Sequence, residues 1–305
     1  MLPYDDLLCT FFMLQIIIGT FGNGLLLYFN SFNIITGQRI RPIELIFINL
    51  VFSNFAVILL RGVPWIIHSC IQNFFLGDIE CKIIIYFQRV TRGISMCSTC
   101  LLSFFQAIAI SSCSPMWAEV KARAQKYIVP FCVFIWVLNL LIDVVVPLYV
   151  TGPRNSTNSN LFRNLGYCSV YRYAISTSKL VLWKSLYDAL FVGLVAIASG
   201  YMVFVLYKHH WQVQHIHKTS VSPSSSPEIR ATKVILFLMS VLVCFHSFSS
   251  FFIILMDNSK DTSLWMIHVS VVFSLCYPTV SPFLLISSAS QIPNCFNAFK
   301  RMKKC

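Results

Sequence analysis

The chain has 305 residues, of which 57% are apolar and only 11% charged, with a formal net charge of +12. Soluble domains carry roughly 25% charged residues and have too little interior to hide this much aliphatic and aromatic surface. Disorder, a coiled coil, a small disulfide scaffold and an ordinary water-soluble enzyme are excluded, and a bilayer becomes the default solvent.

A helix needs about 20 apolar residues to cross the hydrocarbon core. Runs of that kind lie at about 7–32, 43–67, 79–112, 127–150, 179–207, 230–256 and 264–287. The first is too long for a signal-peptide core and has no basic segment before it. Seven spans place the two termini on opposite sides and leave only short connections. Residues 1–305 therefore read as one all-α, seven-helix transmembrane domain, closed by a short basic tail at 288–305.

Basic residues set the orientation. The loops at 32–42, 113–126 and 208–233, with the tail, hold 13 of the 23 Lys and Arg residues, among them Arg123, Lys126, Lys218, Arg230 and Lys233. The opposite side holds seven, Lys184 included, and Arg61, Arg89 and Arg92 fall within spans. The positive-inside rule puts the N-terminus outside and the tail in the cytoplasm. The net positive charge then needs no nucleic-acid partner, and no basic run interleaved with aromatics suggests one. Asn155-Ser156-Thr157 is a glycosylation sequon in the second outer loop. Ser220 to Pro227 forms a Ser/Pro-rich inner linker.

Twelve cysteines sort by compartment. Cys9, Cys97, Cys100, Cys132, Cys244 and Cys276 fall in spans, where Cys behaves as a small apolar residue. Cys70, Cys81 and Cys168 face the oxidising side. A Cys81–Cys168 bridge would pin the second outer loop over the mouth of the bundle, leaving Cys70 unpaired or competing. Cys97-Ser98-Thr99-Cys100 lies within a span and reads as helix packing rather than a metal site.

Ionised residues inside the membrane are expensive and turn toward the bundle interior. Here they are Arg61, Arg89, Arg92, Asp143 and Asp188. Arg89 and Arg92 are three apart and share a helix face, flanked by Gln88. They sit roughly 10–16 Å along the axis from Cys81, a depth suited to the floor of an outward-facing cavity. Two readings stay open: an anchor for a small ligand bearing a carboxylate or sulfate, or neutralisation by Asp143 or Asp188. His246 and His268, in the outer halves of spans 6 and 7, are candidate cavity residues or interhelical hydrogen-bond partners. No GxSxG, HExxH, P-loop or GxGxxG motif points to an enzyme or a cofactor. No filter segment, charge ring or inverted repeat points to a channel or transporter.

Seven spans with Cys81 heading span 3, Gly22-Asn23 in span 1 and Trp136 in span 4 resemble a G-protein-coupled receptor. The departures from the rhodopsin-like pattern are specific. Phe105-Gln106-Ala107 stands where Asp-Arg-Tyr would fall, span 6 has no proline, and span 7 carries Cys276-Tyr277-Pro278-Thr279-Val280-Ser281-Pro282. These features resemble the vomeronasal type 1 receptor family. So do Arg41-Pro42 leading into Leu45 to Leu50, Arg89-Val90-Thr91-Arg92-Gly93 continuing to Gln106-Ala107-Ile108, His209 to His217, and Ser226-Pro227-Glu228-Ile229-Arg230-Ala231-Thr232-Lys233. Bitter-taste receptors, the nearest alternative, would end span 7 differently.

The resemblance implies a chemosensory, pheromone-type receptor in the plasma membrane, coupled to an inhibitory-type heterotrimeric G protein. A non-signalling partner subunit of other chemoreceptors shares the same sequence features. The resemblance also moves Arg89 and Arg92 toward a scaffold role, since residues shared across a family with diverse ligands serve the frame. A small chemosignal would bind between the outer halves of spans 3, 5, 6 and 7, and Pro278 and Pro282 would let span 7 bend. Gln106, Arg123, Lys126, Lys218, Arg230 and Lys233 would meet the G protein or anionic lipid at the inner face. Because Gln106 is neutral, the usual helix 3 ionic lock has no charge to work with. Gln106→Ala is expected to change basal signalling in a cell assay, and unchanged basal and evoked signals would remove Gln106 from the mechanism.

Overall fold

The computed structural model describes residues 3–35, 42–71, 76–111, 115–153, 162–171, 175–216, 227–258 and 263–289. Asn155, Lys218, the Ser/Pro linker up to Ser226 and the tail from residue 290 lie outside the described residues.

Seven helical runs are long and apolar enough to cross a membrane. We label them α1 (Pro3–Ile35), α2 (Pro42–Val57 and its continuation to Ile71), α3 (Asp78–Ile110), α4 (Pro115–Ile142), α5 (Ile175–Ile216), α6 (Pro227–Asn258) and α7 (Leu264–Ala289). Pro3, Pro42, Pro115 and Pro227 each open a helix, where a missing N–H costs nothing and the fixed φ already suits the turn. Asp78 and Glu80 lie in the first turn of α3, where carboxylates favour the helix dipole.

Several helices run past the expected spans, as the start of α4 at Pro115 and the extent of α5, Ile175–Ile216, show, and two are reshaped by proline. The fourth span was expected to run to residue 150, but its α-helix ends at Ile142. Pro147 has no N–H for the Asp143 carbonyl, which takes the amide of Val146 instead (3.0 Å), and the chain tightens into a 3₁₀ turn at Val146–Leu148. The second span continues past 67 through π turns at Ile58–Gly62 and Ile67–Ile71. Pro64 cannot donate to the Leu60 carbonyl, and the helix widens just before it. Arg61 lies buried in that first π turn.

Around the bundle, α3 is central and packs on α2, α4, α5 and α6, while α1 and α6 each pack on α7. Burial follows position: 61% of the apolar window of α3 is buried against 11% for α5. Phe104, Phe131, Leu190, Ile197 and Phe204 point outward and exposed. In water this would be an aggregation surface; in lipid it is the solvated face.

One end of the bundle is covered by a small antiparallel sheet of order β1-β3-β2, made of β1 (Val150–Thr151), β2 (Phe162–Asn164) and β3 (Ser169–Tyr171). Val150 pairs with Val170, and Phe162 with Tyr171. Gly166, at φ 95°, makes the turn before Cys168, and a β-carbon there would collide with Trp65. Cys168 is bonded to Cys81, and the Thr151 hydroxyl (2.8 Å) and Gly152 amide (2.6 Å) donate to Asp78. A second bridge, Cys9–Cys70, corrects two expectations. Cys9 is not merely a small apolar residue, and Cys70 neither stands alone nor competes for Cys81: the pair ties α1 to the far end of α2.

The helix 7 motif is held from α1 and α2. Pro282 has no N–H for the Pro278 carbonyl, and the Asn23 amide donates to that carbonyl instead (2.9 Å) and to Gly19 (2.8 Å). Gly22 permits the approach, since a β-carbon there would lie 2.9 Å from Pro282 Cγ. Asn54 donates to Ser281 (2.8 Å) and accepts from Ser95. Tyr277 and Thr99 share a hydroxyl bond at 2.6 Å. Asn23→Leu leaves the Pro278 carbonyl with only its 3.3 Å contact from Ser281. The expected loss is about 1 kcal/mol, read as a lower Tm of the detergent-purified protein. Gly22→Leu should cost more, because it forces α1 and α7 apart.

Candidate functional site

Beneath the sheet, a cavity of about 160 Å³ opens among α2, α3, α5, α6 and α7. Its upper wall is apolar, from Ile85 of α3, Val150 and Val170 of the sheet, and Ile253 and Met256 of α6. Its lower wall is charged, with Arg61, Arg89, Arg92, Lys184 and Asp188 beside Ser249 and Ser250.

Two buried carboxylates organise that lower wall. Asp143, fully buried, accepts Arg89 Nε on Oδ1 and Lys184 Nζ on Oδ2, each at 3.0 Å. Asp188 accepts Arg92 Nη2 and the Ser250 hydroxyl, each at 3.2 Å on Oδ2. Arg92 also donates to Ser250 (3.0 Å) and Ser249 (3.3 Å). The two pairs therefore join α3 to α4, α5 and α6. A charge moved from water into a low-dielectric interior loses several kcal/mol of hydration, and good geometry with further hydrogen bonds is what compensates. Close helix contact makes this geometry possible. A β-carbon on Gly93 would strike the Asn139 side chain and lie 3.4 Å from Lys184 Nζ.

Of the two readings left open for Arg89 and Arg92, internal neutralisation is what the structure contains. Both line the cavity, with Arg89 bonded through Nε to Asp143 and Arg92 bonded through its Nη atoms to Asp188, Ser249 and Ser250. Gln88 also lines it and accepts the Tyr167 hydroxyl at 3.3 Å. His246 and His268 are not on its walls. His246 is buried edge-on to Tyr277, and His268 packs against Trp65 and Phe12. Lys184, counted above with the outer-side cations, is instead 9% exposed within the bundle. The signal for it was present: Lys184 and Asp188 are four apart in a helix and share the face that meets α3.

At the opposite end Arg123, Lys126 and Lys233 are exposed, with Arg123 donating to Glu119 at 2.6 Å. Gln106 is half-buried between the buried Phe105 and Ala107. Trp136 donates to Asn49 at 3.3 Å, joining α4 to α2.

The family described as the vomeronasal organ pheromone receptor family matches residues 8–298. The chain is 43% identical over 282 residues to vomeronasal type-1 receptor 3 of Pan troglodytes, covering 92% of this chain and 90% of that one. It is 36% identical over 289 residues to vomeronasal type-1 receptor 4 of Homo sapiens, covering 94% and 96%. It is also 30% identical over 279 residues to olfactory receptor class A-like protein 1 of Danio rerio, covering 91% and 87%.

Removing one member of a buried pair strands the other. Asp188→Asn leaves the Arg92 guanidinium without its counter-charge and is expected to cost about 3–5 kcal/mol, read as lost surface expression and a lower Tm. Adding Arg92→Met to Asp188→Leu removes both charges and should recover most of that loss. A double variant no better than Asp188→Asn would show that the pair does not act as a unit.

Proposed function

The chain belongs to the vomeronasal organ pheromone receptor family, and on that premise we propose how its bundle binds a chemosignal and passes the event on. Membership makes it a chemosensory receptor of the G-protein-coupled type, a multi-pass plasma-membrane protein and not an enzyme. It also answers the bitter-taste alternative, since the match runs through almost the whole chain.

The ligand, a small molecule, enters the cavity under the sheet from the end that carries Cys81 and Cys168. That end faces outside, the Asn155 sequon serves as a glycosylation acceptor, and the basic loops face the cytoplasm. A cavity of about 160 Å³ at the disulfide end of the bundle, apolar above and charged at its floor, is the observation that carries this reading. Gln88 and the apolar wall contact the ligand, while Arg89 and Arg92 fix the floor that it meets. His246, buried beside Tyr277, responds to the floor rather than to the ligand, and His268 supports the wall through Trp65.

A ligand shifts the equilibrium only by binding one bundle arrangement more tightly than another. The residues that sense the difference sit on α5 and α6, because Asp188, Ser249 and Ser250 form one hydrogen-bonded group with Arg92. A shift there moves α6 against α7, where Pro278 and Pro282 leave the backbone free to bend. Arg123, Lys126, Lys218, Arg230 and Lys233, with Gln106 at the foot of α3, then meet an inhibitory-type heterotrimeric G protein. The same basic side chains attract anionic lipid when the partner is absent.

Expression of the chain alone with a promiscuous G protein, screened against pools of small volatile and non-volatile chemosignals, tests the proposal. A ligand-dependent response that persists with no other receptor present is expected. A response that requires co-expression of a second receptor would make this chain a partner subunit, and ion flux without any G protein would make it a channel.

A further inference from the structure

Three of the four cations on the cavity wall have a carboxylate at 3.0–3.2 Å: Arg89 and Lys184 share Asp143, and Arg92 holds Asp188. Arg61 has none among the described residues. It is 8% exposed, it lines the cavity, and its Nε is sealed from solvent without a hydrogen-bond partner among those residues. Four cations on this wall thus face two carboxylates, and both carboxylates are already engaged. A buried cation with no counter-charge and a sealed N–H with no acceptor forfeit hydration without compensation, so the group is out of balance until an anion arrives.

We propose that Arg61 is the anchor for an oxyanion, a carboxylate or sulfate group carried by an otherwise apolar ligand. The inference deepens the reading of the cavity as the ligand site and rests on it. A planar guanidinium presents paired N–H donors to two oxygens of one anionic group. Arg61 sits in the π turn of α2, where the widened backbone brings a side chain of the second span into the cavity. The apolar wall formed by Ile85, Ile253 and Met256 fits the rest of such a molecule. Arg89 and Arg92 lie near enough to add to the positive field, but each already has a carboxylate as counter-charge.

The test uses the purified full chain in lipid nanodiscs and four probes. Adamantane-1-carboxylate, its neutral amide and 1-adamantylamine share one apolar body and differ in charge, and sodium sulfate supplies an oxyanion without a body. Binding is read as the rise in Tm with probe concentration. The carboxylate should bind the wild type at least about tenfold more tightly than the amide or the amine, Arg61→Lys should keep a smaller preference because lysine has the charge without the paired donors, and Arg61→Gln should abolish it. With no probe present, Arg61→Met should raise Tm, because it replaces an uncompensated charge by an apolar chain of similar length.

Several results would overturn the proposal. Equal binding of amide and carboxylate, or a preference retained in Arg61→Gln, removes the anchor and leaves the cavity as a ligand site. Sulfate stabilising as strongly as the carboxylate assigns Arg61 to a free inorganic ion instead of an organic ligand. No shift with any adamantane probe removes both the anchor and the cavity. A fall in Tm of Arg61→Met, or its failure to fold, makes Arg61 part of the scaffold.

Discussion

A charge that enters a bilayer has to find its solvent inside the protein. In this chain Asp143 and Asp188 supply that solvent, and the arrangement of the helices around α3 follows from it. Asp143 takes Arg89 on one oxygen and Lys184 on the other; Asp188 takes Arg92 and Ser250. Association of apolar helices in lipid gains nothing from the hydrophobic effect, since lipid tails are as apolar as leucine. Directional polar contacts are therefore what distinguish one packing of α3, α4, α5 and α6 from another. The same contacts put a charged wall at the base of an otherwise apolar cavity.

The other polar contacts fall into two groups at different depths. At the sheet end, Cys81–Cys168 and the Asp78 hydrogen bonds hold the sheet against α3, and Cys9–Cys70 ties α1 to α2. Deeper in the bundle, Asn23, Asn54 and Thr99 reach across to α7 around its two prolines. The first group fixes a roof, and the second supplies partners where proline has removed backbone donors. Between them lies the ion-paired floor, joined to the roof through Gln88 and Tyr167. Roof and hinge are thus separated by a layer in which each carboxylate is bonded to more than one neighbour, so a displacement at the floor cannot stay confined to one helix.

Much of this was legible in the residues. Seven apolar runs gave seven helices, because a 20-residue apolar segment in lipid must satisfy its backbone internally. The i,i+3 spacing put Arg89 and Arg92 on one face, and the prolines of the last span marked where backbone donors are missing. That α4 could not run on to 150 was legible in principle too, since Pro147 has no N–H for the Asp143 carbonyl. Lys184 was misplaced because a loop-side count treats every cation near a helix end as solvated. Its partner, Asp143, is 41 residues away, in the turn that follows another helix. Cys9 stands at the edge of the apolar run, where its residue type alone suggests packing, while its pairing with Cys70 depends on how α1 leans on α2.

Periodicity, hydropathy and charge are local properties, and by themselves they determined the membrane class, the number of helices and the short list of costly charges, while the family rested on the resemblance of particular motifs. Only the packed bundle decided which charges neutralise one another and which one is left over. Arg61, Arg89 and Arg92 are equivalent as letters, each a guanidinium in an apolar run. Pairing depends on distances of about 3 Å between side chains of different helices, which spacing along one helix cannot supply. Those distances assign two of the three to the frame and leave Arg61 facing the cavity without a counter-charge among the described residues.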